Sequence, residues 1–166
     1  RNFVTPVKNQ NFCSSCVAFA VTAAVETQAR ITSDIAVNDP NAGDLPDLSE
    51  AQLYFCSQSD EDQHNCFTGW GITPAFTFAQ TPGIVPETAF PYPIHSLRDI
   101  TYSGCNLPSD WQSQTTKISG YTTLYNGDTD PTTNLKNHLA TKGPVVTGFT
   151  AYLDFLFYRS GVYIKN

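Results

Sequence analysis

The residues with the most evident chemistry stand within eleven positions, Gln10-Asn11-Phe12-Cys13-Ser14-Ser15-Cys16-Val17-Ala18-Phe19-Ala20. A cysteine at the head of a helix meets unpaired backbone N–H groups and the positive end of the macrodipole. There a thiol is most readily held as thiolate, the form that attacks carbonyls. Cys16 is therefore the candidate nucleophile. Cys13 and Cys16 also make a C-x-x-C, which elsewhere holds zinc or a redox pair. Zinc would require a second cysteine pair or a histidine pair, and Cys56, Cys66 and Cys105 supply none, so no metal site is expected. A thioredoxin-type site would require a strand directly before it and a βαβ pattern after it. The lead-in here is Pro6-Val7-Lys8-Asn9-Gln10, which leaves thiol redox chemistry as the lesser alternative. Five cysteines are an odd number, which suggests two disulfides and one thiol, but spacing alone does not assign the pairs.

The elements that must position these residues follow from periodicity. Ser15 to Ile31 contains no glycine or proline, and Val17, Ala20, Val21, Ala24 and Val25 form an apolar face at helical spacing. Ser14 or Ser15 is placed to supply the N-cap oxygen. Asn38 to Asp47 is a polar loop whose Gly43-Asp44 order does not fit a calcium loop. Leu48 to Cys56 predicts a short helix capped by Ser49 or Asp47, and Pro74 to Ala79 a third helix with proline in its first turn. Five prolines between Thr81 and Pro108 predict irregular backbone. Ile118 to Tyr125, Val145 to Phe149 and Ser160 to Ile164 are strand-like in composition. Between them, Asp130 or Thr132 through Lys142 predicts a helix stopped by Gly143-Pro144. Helices first and strands later imply an α+β chain of two unlike lobes.

Composition narrows the classes of function. With 166 residues, 40% hydrophobic and 14% charged, the chain is long enough for one sizeable core or two lobes around a cleft. Nine basic against fifteen acidic residues argue against nucleic acid or an anionic membrane as partner. No apolar run is long enough to span a bilayer. The chain opens on Arg1 without a leader-like pattern, so any signal peptide is expected to lie outside it.

The run Val4-Thr5-Pro6-Val7-Lys8-Asn9-Gln10 followed by Cys13-Ser14-Ser15-Cys16 resembles the papain-like cysteine proteases, including the cathepsins. Further matches recur in family order. They are Leu48-Ser49-Glu50 with Cys56, Cys66-Phe67-Thr68-Gly69, and Pro91-Tyr92 before Cys105; then Gly143-Pro144-Val145, Tyr152-Leu153-Asp154-Phe155 and Tyr158-Arg159-Ser160-Gly161. Landmarks thus cover nearly the whole chain. The resemblance implies a papain-like two-lobed α+β fold. A helical lobe would span about 10–110, and an incomplete antiparallel β-barrel lobe about 111–166 with 1–9, with a cleft between them. It implies that Cys16 forms a thioester acyl-enzyme and that Gln10 is the oxyanion donor. It further implies disulfides Cys13–Cys66 and Cys56–Cys105. Thr68 and Gly69 would pair with the substrate backbone, and Trp70 and Gly148 would shape the pocket for the second residue before the scissile bond. No cofactor is implied. Peptide or protein substrates are, together with a propeptide or protein inhibitor and a lysosomal, vacuolar or secreted location.

Departures stand at Val17, usually aromatic, and at Ser14 and Thr68, usually glycine. These motivate the alternative of a catalytically impaired, peptide-binding module. The larger departure concerns the base. The family places a histidine, then an orienting asparagine, roughly 130–150 residues after the cysteine, a window that ends near Asn166 and contains no histidine. His64, His95 and His138 match no family position. The chain therefore reads as most of a papain-like domain, truncated before the His and Asn, which a missing segment or a second chain would supply.

Overall fold

The computed structural model describes residues 3–37, 39, 47–59, 62–124 and 130–164. The polar loop Asn38 to Asp47 and Tyr125 lie outside these residues, apart from Asp39 and Asp47. The alanine-rich run forms helix α1, Cys16–Ser33, which ends two residues beyond the Ile31 of its pattern. Its end is a left-handed Asp34, whose N–H returns to the Arg30 and Ile31 carbonyls. Helix α2 spans Glu50–Phe55, capped as expected by Ser49, whose Oγ accepts from the Gln52 N–H at 2.9 Å. Helix α3, Ile72–Gln80, begins two residues ahead of Pro74, which falls in its first turn. Helix α4, Pro131–Thr141, takes Asp130 as its cap. It ends where Gly143, at φ +137, turns the chain against Gln28 of α1.

Helices α1, α2 and α3 pack on one another around a core that includes Val21, Val25, Leu48, Leu53, Tyr54, Ile84, Val85 and Ile94. The irregular segment after α3 packs on this core as the prolines predict, with one 3-10 turn at Leu97–Asp99. The three strand-like segments are a different matter. Among the described residues no strand ladder forms, and the only β pairings are the isolated bridges Leu48–Pro86 and Ile84–Thr116. A strand exists only when a neighbour accepts from its N–H groups and donates to its C=O groups. Residues 145–149 and 160–164 find no such neighbour among the described residues. The helical half is therefore present, whereas the β-barrel expected of residues 111–166 is not formed by the described residues.

One charge cluster ties the N-terminal lead-in to α1 and α2. The Lys8 ammonium lies 2.7 Å from Glu50, 2.6 Å from Asp47 and 3.4 Å from Glu26, and 3.4 Å from the Leu48 carbonyl. Glu26 is buried and fully engaged. It accepts from Thr5 Oγ1 at 2.8 Å and from the Leu48 N–H at 2.7 Å. Burial alone would lower Lys8, but hydrogen bonds to Asp47 and Glu50 outweigh it and hold the ammonium above its ordinary value. Burial raises the Glu50 carboxyl, with Lys8 pulling the other way. Removing the cation strands two buried carboxylates, which typically costs about 3–5 kcal/mol. Lys8→Met should lower unfolding stability by about that amount in urea titrations; a loss under about 1 kcal/mol would show the cluster to be solvent-screened.

Burial pushes the neighbouring Glu87 carboxyl up to about 7, from an ordinary value of 4.5. Its folded state binds the proton more tightly than the unfolded chain does. The resulting stabilisation is complete below the unfolded value and is lost as pH rises through about 7. Glu87→Gln should therefore flatten the decline of Tm between about pH 5 and 8, as followed by calorimetry.

Candidate active site

The turn Asn11–Ser14 delivers the chain into α1, and Cys16 is the first residue of that helix, exposed and unpaired. Two disulfides, Cys13–Cys66 and Cys56–Cys105, account for the other four cysteines. The pairing implied by the resemblance is the one observed, and it removes the C-x-x-C redox unit, because Cys13 is bonded 53 residues away. Closing a loop of that length disfavours the unfolded chain by about 4 kcal/mol on the chain-entropy account.

Ser15 occupies the N-cap position but does not cap. Its buried Oγ instead lies 2.7 Å from the Tyr92 hydroxyl. Among the described residues no side chain thus caps the first N–H groups of α1, which leaves the end of the helix at Cys16 favourable to a negative charge. Gln10 is half-buried, and its Nε2 donates to the Cys13 carbonyl at 2.6 Å. That bond uses one amide hydrogen and leaves the second for another acceptor. Asn11 takes the left-handed φ of 52 that the turn needs, and its side chain donates to the Ile94 carbonyl at 2.7 Å.

The opposite rim is built on Tyr54. Its hydroxyl donates to the Asn65 carbonyl at 2.7 Å and reaches the Ser14 carbonyl at 3.4 Å, while the Ser14 N–H donates to Cys66 O at 3.0 Å. Burial, then the nearby Tyr92 and Cys16, push this phenol up to about 12, so it remains a donor. Gly69 sits against Ser14: a Cβ added there would lie 3.6 Å from the Ser14 carbonyl, and its φ of +73 favours glycine. Thr68 is exposed beside it. Among the described residues the Gly69 N–H and carbonyl make long bonds, to Asn65 O at 3.3 Å and Thr68 Oγ1 at 3.4 Å. Trp70 stacks on His64 with ring centroids 4.5 Å apart and donates its indole N–H to Asp62 at 2.8 Å. Gly148 faces Ile72, the first residue of α3, where an added Cβ would lie 3.8 Å from Cδ1. Val17, which stands where an aromatic was expected, packs against the core.

No hydrogen bond joins an imidazole to Cys16 among the described residues. His64 is buried, with Nε2 on the Tyr54 carbonyl at 2.7 Å and Nδ1 facing Asp62 at 3.6 Å. His95 lies exposed beside Asp99, and His138 is half-buried on α4. Sequence reasoning missed Tyr92 as a support of the site. A tyrosine between two prolines carries no local signal of a hydroxyl reaching 77 residues back.

Over residues 1–166 the sequence matches the domain described as papain family cysteine protease. It is 35% identical to zingipain-2 of Zingiber officinale over 96% of the chain and 62% of that protein. With cathepsin S of Mus musculus it shares 33% identity over 96% of the chain and 42% of that protein. Among solved structures, the digestive procathepsin L 3 of Tenebrio molitor larval midgut aligns with a TM-score of 0.61 at 28% identity. That alignment covers 86% of the chain and 40% of the procathepsin chain. The chain therefore spans roughly half the length of the relatives it matches.

One free thiol implies a simple count. A chromogenic thiol titration of the non-reduced, denatured protein should find one equivalent, and peptide mapping should place it on Cys16. Recovery of a Cys13–Cys16 disulfide would overturn the arrangement.

Proposed function

The chain belongs to the papain family of cysteine proteases, and on that premise we propose that it carries the nucleophilic part of a peptidase that hydrolyses peptide bonds through a thioester on Cys16. One observation carries the reading: an exposed free thiol at the first position of α1, behind a loop on which the Gln10 amide is anchored at the Cys13 carbonyl. The Cys16 sulfur adds to the scissile carbonyl carbon, and its proton passes to an imidazole. The oxyanion that forms meets the Cys16 backbone N–H and the remaining N–H of Gln10. The electron pair then returns, the C–N bond breaks, and the imidazolium protonates the leaving amine. Water attacks the thioester by the same sequence and regenerates the thiol.

His64, His95 and His138 are not assigned the imidazole. The His and the Asn that orients it are placed outside these residues, in a further segment or a second chain. The surface of the later residues supports this reading. Leu153, Phe157 and Val162 are 77%, 78% and 88% exposed, as apolar side chains are where a packing partner belongs. In this reading residues 10–110 are the helical lobe, and residues 111–166 with 1–9 contribute to a β lobe completed by that partner. Thr68 and Gly69, the latter with long, displaceable bonds on its N–H and carbonyl, form the edge that pairs with an extended peptide, and Trp70 and Gly148 wall the adjoining pocket. A propeptide or protein inhibitor would occupy the same cleft. Two disulfides suit an oxidising compartment, here lysosomal, vacuolar or secreted.

The test uses the full-length protein and a chromogenic peptide ester and amide. Rapid-quench mass spectrometry should catch an acyl group on Cys16, and Cys16→Ala should abolish turnover. Gln10→Ala should lower kcat by about 10²–10³ with little change in KM, the usual effect of losing one oxyanion donor. Peptide binding without acylation of Cys16 would replace the peptidase reading with that of a peptide-binding module.

A further inference from the structure

Three hydrogen bonds converge on the loop that carries the proposed oxyanion donor, all from the single segment Tyr92–Ile94. The Tyr92 hydroxyl donates to the Gln10 carbonyl at 3.0 Å. The same oxygen lies 2.7 Å from Ser15 Oγ, on the residue directly before Cys16. Two positions on, the Ile94 carbonyl accepts from Asn11 Nδ2 at 2.7 Å. A phenol has one proton and two lone pairs. With its proton directed to Gln10 O, the Tyr92 oxygen accepts from Ser15 Oγ–H, so one atom spans both sides of the oxyanion hole.

The setting is rigid. Tyr92 and Ser15 are buried, and the Tyr92 ring makes edge-on contact with Phe19 of α1, with centroids 4.9 Å apart. Its backbone N–H is in turn held by Glu87 Oε1 at 2.8 Å. Burial keeps the phenol above its ordinary value, so it remains protonated and able to donate. The Gln10 side chain has one anchor of its own, the 2.6 Å bond to Cys13 O. Within the loop the Gln10 carbonyl accepts a long bond from the Cys13 N–H at 3.4 Å, and the shorter bond to that carbonyl comes from Tyr92, outside the loop.

Resting on the peptidase reading above, we infer that Tyr92 is a positioning residue for the oxyanion hole. It sets the Gln10 carbonyl against the start of α1, and thereby sets the distance between the Gln10 amide and the Cys16 N–H. Asn11, through Ile94, is the second brace of the same loop. Tyr92 touches no substrate in this account. It acts through Gln10 and Ser15.

A loop that drifts by a fraction of an ångström weakens hydrogen bonds made only in the transition state and leaves substrate binding intact. Tyr92→Phe keeps the buried ring and removes the hydroxyl. In the full-length protein it should lower kcat for peptide amides by about tenfold, a fraction of the effect of deleting a donor outright, with KM within about twofold. The affinity of a peptide aldehyde, whose hemithioacetal oxygen occupies the oxyanion position, should fall by the same factor. Alkylation of Cys16 by iodoacetamide, which needs no oxyanion hole, should keep its rate. Asn11→Gly retains the left-handed backbone while losing the Ile94 bond, and should show the same signature more weakly. It serves as the test should Tyr92→Phe fail to fold.

Unchanged kcat and aldehyde affinity in the folded variant would overturn the inference. So would parallel losses of alkylation and turnover, which would indicate a general structural role. A wild-type protein that alkylates at Cys16 yet hydrolyses no peptide would overturn the peptidase reading and this inference with it. A wild type that turns over alongside an indistinguishable Tyr92→Phe overturns the inference alone.

Discussion

The helical half of this chain depends on how a buried carboxylate is satisfied. Glu26 points inward from the middle of α1, where an isolated charge would be prohibitive. It is tolerated because Thr5, Lys8 and the Leu48 N–H all converge on it. Those donors come from the lead-in and from the residue ahead of α2, so satisfying one acceptor joins three pieces of chain. Lys8 then reaches Glu50 at 2.7 Å and extends the tie into α2. Gln10 is only two residues beyond Lys8. The geometry of the reactive loop is thus fixed from one side by this cluster and from the other by the Cys13–Cys66 bond.

Much of this was legible without coordinates because it is local. The long alanine-rich helix, the Ser49 cap, the proline-punctuated stretch and the Gly143 stop each depend on residues within a few positions of one another. The disulfide pairing and the exposed Cys16 came through the family resemblance, since spacing alone left the pairs open. Among the described residues the strands did not appear. Val145 to Phe149 has strand composition, but composition says only that a residue suits a pleated surface; pairing is decided by what lies alongside. Among the described residues no backbone bridges to it. Ser15 was misread for a related reason. A serine before a helix ordinarily caps it, and only the arrival of Tyr92 from a distant segment draws its hydroxyl away.

The two rims of the site are organised by phenols of the same kind. Tyr54 holds the Ser14 and Asn65 carbonyls on one side, and Tyr92 the Gln10 carbonyl on the other. Both rings are buried, and both hydroxyls are kept protonated by that burial. Neutral donors of this sort impose geometry without adding charge beside the sulfur proposed to act as nucleophile. The charged cluster is kept apart, on the Lys8 and Glu50 side, where it serves cohesion.

The uncapped start of α1 has a consequence for how this protein could be made sturdier. Capping a helix is among the cheapest ways to add about 1 kcal/mol to a domain, and α1 is the longest helix described here. Freeing Ser15 from Tyr92 to close that end would gain this increment. It would also release the Tyr92 hydroxyl from the residue directly before Cys16 and so loosen the brace inferred for the oxyanion hole. Under the proposed function, robustness and reactivity therefore compete for a single hydroxyl, that of Ser15.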